Sequence, residues 1–179
     1  METYLSVRCL YCAVGREQQV VRLVQENGWG TAIFPQRVRT MQKHGESRLV
    51  QVPLMPGYVF LYQHEQPPAR EALLGLKDVR RILTYGDGTD ALFGRDLAFA
   101  EWLWRLHGRI DVMQAVQLGD RIEIVDGVFR ELRGTIVRMD RRRKTVCVAL
   151  DTEGSLNRIW LAYEIVEKLK DGGDGRGEP

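Results

Sequence analysis

The stretch PLMPGYVFLY, residues 53–62, decides the fold of the first half of the chain. Its Pro-Gly pair sets a turn, and the β-rich run that follows ends before a second proline pair, which predicts a short strand. Side chains alternate along a strand, so Tyr58 and Phe60 share one face. We expect the other face to pack on helices and the aromatic face to stay exposed, where it would offer a partner surface.

Strands and helices alternate on both sides of this stretch. Residues 16–27 follow a helical period, and Gly28 stands where a helix is expected to stop. The patterns predict strands at 4–7, 31–34, 37–43, 48–52, 58–62 and 79–84, and helices at 16–27, 68–76 and 96–107. The predicted fold class is α+β, and the predicted domain spans residues 1–110.

The pattern changes after this domain. Short β runs at 121–125, 134–139, 145–150 and 157–161 are separated by turn signals, with no helical pattern between them. Closely spaced strands of this kind predict a small β-barrel, which we assign to residues 119–170, after a linker at 111–118. Residues 171–179 are rich in glycine and charge and hold no apolar side chain, so we expect a disordered tail.

Composition excludes several classes of protein. Hydrophobic residues make up 44% and charged residues 28% of the 179 residues, which is typical of a globular chain. No apolar run is long enough to span a membrane, and the first residues lack the layout of a secretory signal. Three cysteines are an odd number and indicate no disulfide framework. We therefore expect a cytoplasmic protein, without a membrane partner.

The formal net charge of +2 is too small to indicate nucleic-acid binding, so local clustering has to carry that signal. Residues 16–48 hold six basic and three acidic side chains, with glutamines between them. Arginine suits phosphates and glutamine suits base edges, although a solvated surface explains the pattern equally well. The candidate nucleic-acid contacts are Arg16, Gln19, Arg22, Arg37, Arg39 and Lys43. A second basic run, residues 141–144, occupies a predicted hairpin tip.

A different class of function is indicated by Cys9 and Cys12, which form a C-x-x-C between a predicted strand and a predicted helix. This context is typical of a thioredoxin-like redox site, which needs a thiolate at a helix N-terminus. However, residues 13–15 separate Cys12 from the helix, and no second C-x-x-C or nearby histidine completes a zinc site. We expect no catalytic residue, no metal site and no cofactor.

Two stretches together resemble the NusG family of transcription factors. Residues 53–60, PLMPGYVF, resemble the signature of its N-terminal NGN domain. Residues 119–129, GDRIEIVDGVF, followed by LRGTI at 132–136, resemble the KOW motif. The motif rests on Gly119, Asp120, Asp126, Gly127, Phe129 and Gly134, all of which would also serve simply to build a barrel. The resemblance covers residues 3–170 and implies an NGN domain, an antiparallel sheet flanked by helices, followed by a small KOW barrel.

The resemblance also implies a function. NusG-type proteins bind RNA polymerase and suppress pausing and termination, and none of this requires an enzyme. Tyr58 and Phe60, with Met55 and Pro56 beside them, match the positions that dock on the clamp helices of the polymerase's largest subunit. On this hypothesis Phe60→Ala would weaken polymerase binding and leave the fold intact. The alternative is that this strand belongs to the core of the domain. We expect a monomer.

Some features resemble specialised members more than the general factor. Glu153 stands where general members carry an aromatic residue that meets Rho or a ribosomal protein. Residues 80–87 and 140–144 look like those of LoaP-type paralogs, which are operon-specific antiterminators. An operon-specific factor needs a recruiting nucleic-acid element, and the basic face of residues 16–48 suits a nascent RNA hairpin or non-template DNA. Two alternatives stay open: a general NusG factor and a ribosome-associated KOW protein that binds RNA.

Overall fold

The computed structural model describes residues 4–43, 46–118, 121–125, 134–150 and 158–169. Within these ranges the chain is a mixed α/β protein with three helices and three sheets. In chain order the elements are β1 (Ser6–Cys12), α1 (Glu17–Glu26), β2 (Thr31–Ile33), β3 (Gln36–Lys43), β4 (Glu46–Pro53), β5 (Tyr58–Gln63), α2 (Arg70–Leu74), β6 (Val79–Ile82), α3 (Gly94–Arg105), β7 (Arg109–Ile110), β8 (Met113–Leu118), β9 (Arg121–Ile124), β10 (Gly134–Asp140), β11 (Thr145–Leu150) and β12 (Arg158–Leu169).

The strand predicted after the Pro-Gly turn is confirmed as β5. It lies inside a four-stranded antiparallel sheet of order β2-β5-β1-β6. Helix α3 covers one face of this sheet, and α1 covers the other with an apolar stripe formed by Val20, Val21 and Val24. Since both faces are covered, the alternating residues of β5 are buried on both sides, apart from the half-buried Tyr58 at its start.

Strands β3 and β4 form the predicted ribbon. They pair antiparallel along their whole length, from Gln36 opposite Pro53 to Lys43 opposite Glu46. The two-residue strand β7, which the sequence patterns did not predict, adds parallel to the base of β3. Beyond its short pairing with β7, strand β3 faces the second half of the chain, where β12 contacts it.

The second half forms a five-stranded sheet of order β10-β11-β12-β8-β9. All neighbours are antiparallel except β12 and β8, which run parallel. Residues 113–118 of the predicted linker form β8, with Met113 and Ala115 buried. Polar residues between the apolar ones hid this strand, and it is held by pairing with β12, which is remote in sequence.

A single buried apolar cluster runs from the first sheet into the second. It joins Phe60 and Trp102 of the first half to Val148 and Leu161 of the second half. A smaller cluster fills the space between the first sheet and helices α1 and α2. The two halves therefore share a core. The boundaries predicted for the two domains stay predictions.

Several predictions concern residues outside the described ranges. They are five KOW-motif positions, the residue expected to differ from general NusG factors, and the tail: Gly119, Asp120, Asp126, Gly127, Phe129, Glu153 and residues 171–179. Gly134 is described and begins β10, opposite Leu150 of β11. Of the helices in the described ranges, none is long and apolar enough to cross a membrane.

Candidate functional site

The Pro56-Gly57 turn is held in place by a buried carboxylate. The backbone N–H of Gly57 donates to Oε1 of Glu17 at 2.7 Å, and the Glu17 residue is 2% exposed. On the other side, the carbonyl of Gly57 accepts from the N–H of Cys12 at 2.7 Å. Gly57 has a φ of +86°, and an added Cβ would come within 2.8 Å of the Tyr11 ring, so glycine is required here. The turn therefore fixes where β5 begins.

The predicted exposure of the aromatic face was wrong for Phe60, and Met55, which was expected to dock beside it, is buried as well. Both residues are 3% exposed. The Phe60 ring packs edge-on against Phe99 of α3, with ring centroids 6.0 Å apart. Farther along the same face, the hydroxyl of Tyr62 donates to the carbonyl of Ala100 at 2.6 Å. Helix α3 therefore seals this part of the face, and Phe60 serves the core rather than a partner surface. Pro56, by contrast, is exposed.

An accessible aromatic group remains beside the turn. Strand register places Tyr58, Tyr11 and Arg81 opposite one another on β5, β1 and β6, and we call these three residues the aromatic row. The two tyrosine rings lie 5.1 Å apart, and the Arg81 guanidinium lies 5.1 Å from the Tyr11 ring centroid. Both tyrosines are half-buried and Arg81 is exposed. Such amphipathic rings, backed by a cation, suit protein contact.

Tyr11 and Arg81 were missed as members of this group. The sequence patterns ended the first strand at residue 7, whereas β1 runs on to Cys12. The missed signal was the alternation itself: Val7, Cys9 and Tyr11 continue the period of two and place Tyr11 on the same face as Tyr58. Had that strand been extended, its antiparallel pairing with β5 would have brought the two rings together.

The six candidate nucleic-acid residues do not share one surface. Arg16 and Arg22 are exposed, and Gln19 is half-buried, all at or on α1, the helix that covers one face of the first sheet. Arg37 and Arg39 lie instead on β3, where they line a cleft against the turn between β10 and β11. Lys43 is the last residue of β3. The single basic face predicted from residues 16–48 is thus divided in two.

The C-x-x-C pair lacks the geometry of a redox site. Cys9 packs in the cluster with Phe60, and Cys12 packs in the other cluster with Val20, because they point to opposite faces of β1. Burial raises the pKa of both thiols, and for Cys12 the nearby Glu17 carboxylate adds to the effect and the pKa reaches about 11. A redox pair needs adjacent sulfurs and a lowered pKa, so both observations oppose it.

We expect the cysteines to be unreactive in the native protein. At pH 8 a thiol with a pKa of about 11 is only about 0.1% thiolate, and burial of Cys9, Cys12 and Cys147 adds a steric barrier. Titration with an aromatic disulfide reagent should find no fast-reacting thiol at pH 8, and a rate that rises toward pH 11. In denaturant all three thiols should react at once. A native thiol that reacts at pH 7 like free cysteine would restore the redox hypothesis.

The chain has similar counterparts among solved structures. No family model matches the chain. No curated protein matches it. A solved structure described as "Domain interaction in Thermotoga maritima NusG" is 18% identical, with a TM-score of 0.49, over 88% of this chain and 93% of that one. A second, "Crystal Structure of MjSpt4:Spt5 complex conformation B", is 18% identical, with a TM-score of 0.28, over 87% and 91%. Similarities of this size do not assign a function.

Proposed function

We propose that this protein is a transcription elongation factor that binds RNA polymerase through the aromatic row. The observation that carries the proposal is the placement of Tyr58. It lies in the stretch that resembles the NusG docking signature, and the Glu17–Gly57 hydrogen bond fixes the turn from which it projects. The row to which it belongs offers two half-buried rings and an exposed cation on one face of the sheet.

The chemistry of the row suits the face of a partner helix. The tyrosine rings would cover apolar side chains while their hydroxyls stay at the rim, and Arg81 would meet a carboxylate of the partner. The polymerase clamp helices that the motif resemblance implies are such a partner. Tighter binding to the closed clamp than to the open one would lower the population of paused states. No covalent step is needed.

The more specific proposal is an operon-specific antiterminator in the cytoplasm. Its support is the resemblance of residues 80–87 and 140–144 to LoaP-type paralogs, together with exposed Arg16 and Arg22 for contact with a recruiting RNA hairpin or non-template DNA. A general elongation factor is the second candidate. A ribosome-associated KOW protein would have no use for the aromatic row.

Tyr58→Ala should weaken polymerase binding by about 10- to 100-fold, because an aromatic residue at the centre of a protein interface commonly contributes 2 kcal/mol or more. Tyr58→Phe keeps the ring and should bind nearly as well as the parent chain. The matched control is Phe93→Ala, which removes an aromatic side chain that is 44% exposed in the same half but outside the row. Binding to core polymerase is measured by titration, with circular dichroism to verify the fold.

The same variants are tested in transcription through a terminator, on templates with and without candidate leader sequences. Readthrough that needs one leader supports the operon-specific factor, and readthrough on every template supports the general one. In either case Tyr58→Ala should lose readthrough and Phe93→Ala should keep it. Folded Tyr58→Ala protein with parental polymerase affinity would refute the docking role of the row.

A further inference from the structure

A basic cleft lies between the β3–β4 ribbon and the turn that joins β10 to β11. Its volume is about 1040 Å³. Both halves of the chain contribute to its lining, which holds six cations: Arg37, Arg39, Arg138, Arg142, Arg143 and Lys144. Asp140 is the only carboxylate among the lining residues that the structure describes. This concentration of charge is far greater than the net charge of the chain would suggest.

Most of this positive charge is not neutralised locally. Asp140 lies 3.9 Å from the Arg143 guanidinium, and within the described ranges no ion pair joins the other five cations to a carboxylate. Burial and then the neighbouring charge of Arg39 lower the pKa of Arg37. The guanidiniums of Arg37 and Arg39 thus repel each other where water is partly excluded. This repulsion is unfavourable, and a bound anion would offset it.

The cleft also holds an aromatic surface. Arg138, Cys147 and Trp160 lie opposite one another on β10, β11 and β12, so their side chains share one face of the sheet. Cys147 is buried between its neighbours, whereas Trp160 is 36% exposed and lines the cleft. An indole among guanidiniums offers a stacking platform for a nucleobase, which a site for a simple anion does not need.

We propose that this cleft binds a short single-stranded segment of nucleic acid, with phosphates on the cations and a base stacked on Trp160. A single strand is favoured over a duplex because only unpaired bases can offer a face to the indole. The volume exceeds the roughly 300–1,000 Å³ of small-ligand pockets only slightly and fits a few nucleotides. In the proposed function, this cleft would hold the nucleic acid that recruits the protein. The inference rests on that function only for its biological role.

The test uses the full chain and a fluorescein-labelled 12-nucleotide single-stranded RNA of mixed sequence, followed by fluorescence anisotropy without polymerase. Contact with three to five phosphates predicts that the logarithm of the affinity falls with the logarithm of salt with a slope of about −2 to −3.5. Affinity should therefore drop by about 20- to 100-fold between 50 and 200 mM salt. The same strand as DNA and a fully paired RNA hairpin serve as comparison probes.

Variants on each wall separate this cleft from other basic surfaces. Arg39→Glu on the ribbon and Arg142→Glu on the opposite turn should each weaken binding at least 10-fold. Arg121→Glu makes the same charge change at an exposed position of β9 outside the cleft and should have little effect. Trp160→Ala should lose about 5- to 100-fold, and Trp160→Phe should recover most of that loss because it keeps a ring.

The proposal is overturned if Arg39→Glu and Arg142→Glu bind like Arg121→Glu, or if Arg22→Glu on α1 alone abolishes binding. Tighter binding of the paired hairpin than of the single strand would contradict the assigned ligand. The cleft would be a nonspecific anion site if inorganic polyphosphate bound as tightly as RNA and if Trp160→Ala left the affinity for RNA unchanged. Because polymerase is absent, failure here leaves the docking role of Tyr58 untouched.

Discussion

Phe60→Ala should lower the free energy of unfolding by about 3–5 kcal/mol, the usual cost of removing a buried phenyl ring. The ring is 3% exposed and packs against Phe99 of α3, so its loss leaves a cavity between the sheet and the helix. Urea denaturation followed by circular dichroism measures this as a lower midpoint with a similar slope. This replaces the sequence-based hypothesis, in which the same change weakens polymerase binding without harm to the fold.

The comparison with Tyr58→Ala separates packing from docking. Tyr58 is half-buried at the start of the same strand, so its loss should cost clearly less stability and more polymerase affinity. Phe60→Leu refills part of the cavity and should recover part of the stability. If Phe60→Ala unfolds at the parental urea concentration and yet fails to bind polymerase, then the ring is accessible in solution and the assignment to the core is wrong.

Gly30→Ala should destabilise the fold by about 2–5 kcal/mol. Gly30 has a φ of +128°, which L-residues rarely adopt, and a Cβ there would overlap the carbonyl oxygen of Tyr62 and lie 3.1 Å from the Cα of Gln63. These are backbone atoms of the interior strand β5, so relief of the overlap requires the sheet to move. Conformational strain of about 1–2 kcal/mol and an overpacking cost of about 1–3 kcal/mol add up.

Two other glycines allow the strain and the overlap to be measured separately. Gly15 has a φ of +84° and open space where a Cβ would go, so Gly15→Ala reports strain alone, about 1 kcal/mol. Gly86→Ala meets open space and has no positive φ, so it should be nearly neutral. In thermal melts, the melting temperature of Gly30→Ala should lie far below that of Gly15→Ala, which should lie below that of Gly86→Ala. An equal loss of stability in Gly30→Ala and Gly15→Ala would show that the sheet relieves the overlap at no energetic cost.

Local patterns predicted the local elements of this fold. The Pro-Gly turn and β5, helix α1 and the β3–β4 ribbon all follow from residues that lie next to one another in sequence. The burial of Phe60 does not follow from neighbouring residues, because the helix that covers it begins at residue 94. Alternation along a strand does not tell which face a remote helix will cover. Strand β8 was missed for a similar reason: its partner β12 begins forty residues after β8 ends.

The candidate sites divide in the same way. Tyr58 was found from its motif, whereas Tyr11 and Arg81 join it only through pairing of β1 with β5 and β6. The two basic stretches were each visible in sequence as charge runs. Their approach across the cleft was not, since Arg39 lies on β3 and Arg142 lies in the turn between β10 and β11, about a hundred residues later. Charge composition predicts attraction for anions, but only tertiary structure places the cations on two facing walls.

The parallel pairing of β8 with β12 has a consequence for biosynthesis. A ribosome releases β8 well before β12, so one edge of β8 stays unpaired until β12 has emerged. During that interval β8 exposes unpaired backbone groups, the usual starting point for wrong strand exchange between nascent chains. Truncation within β12 would make this interval permanent, so we expect β12, the last strand that the structure describes, to complete the sheet of the second half.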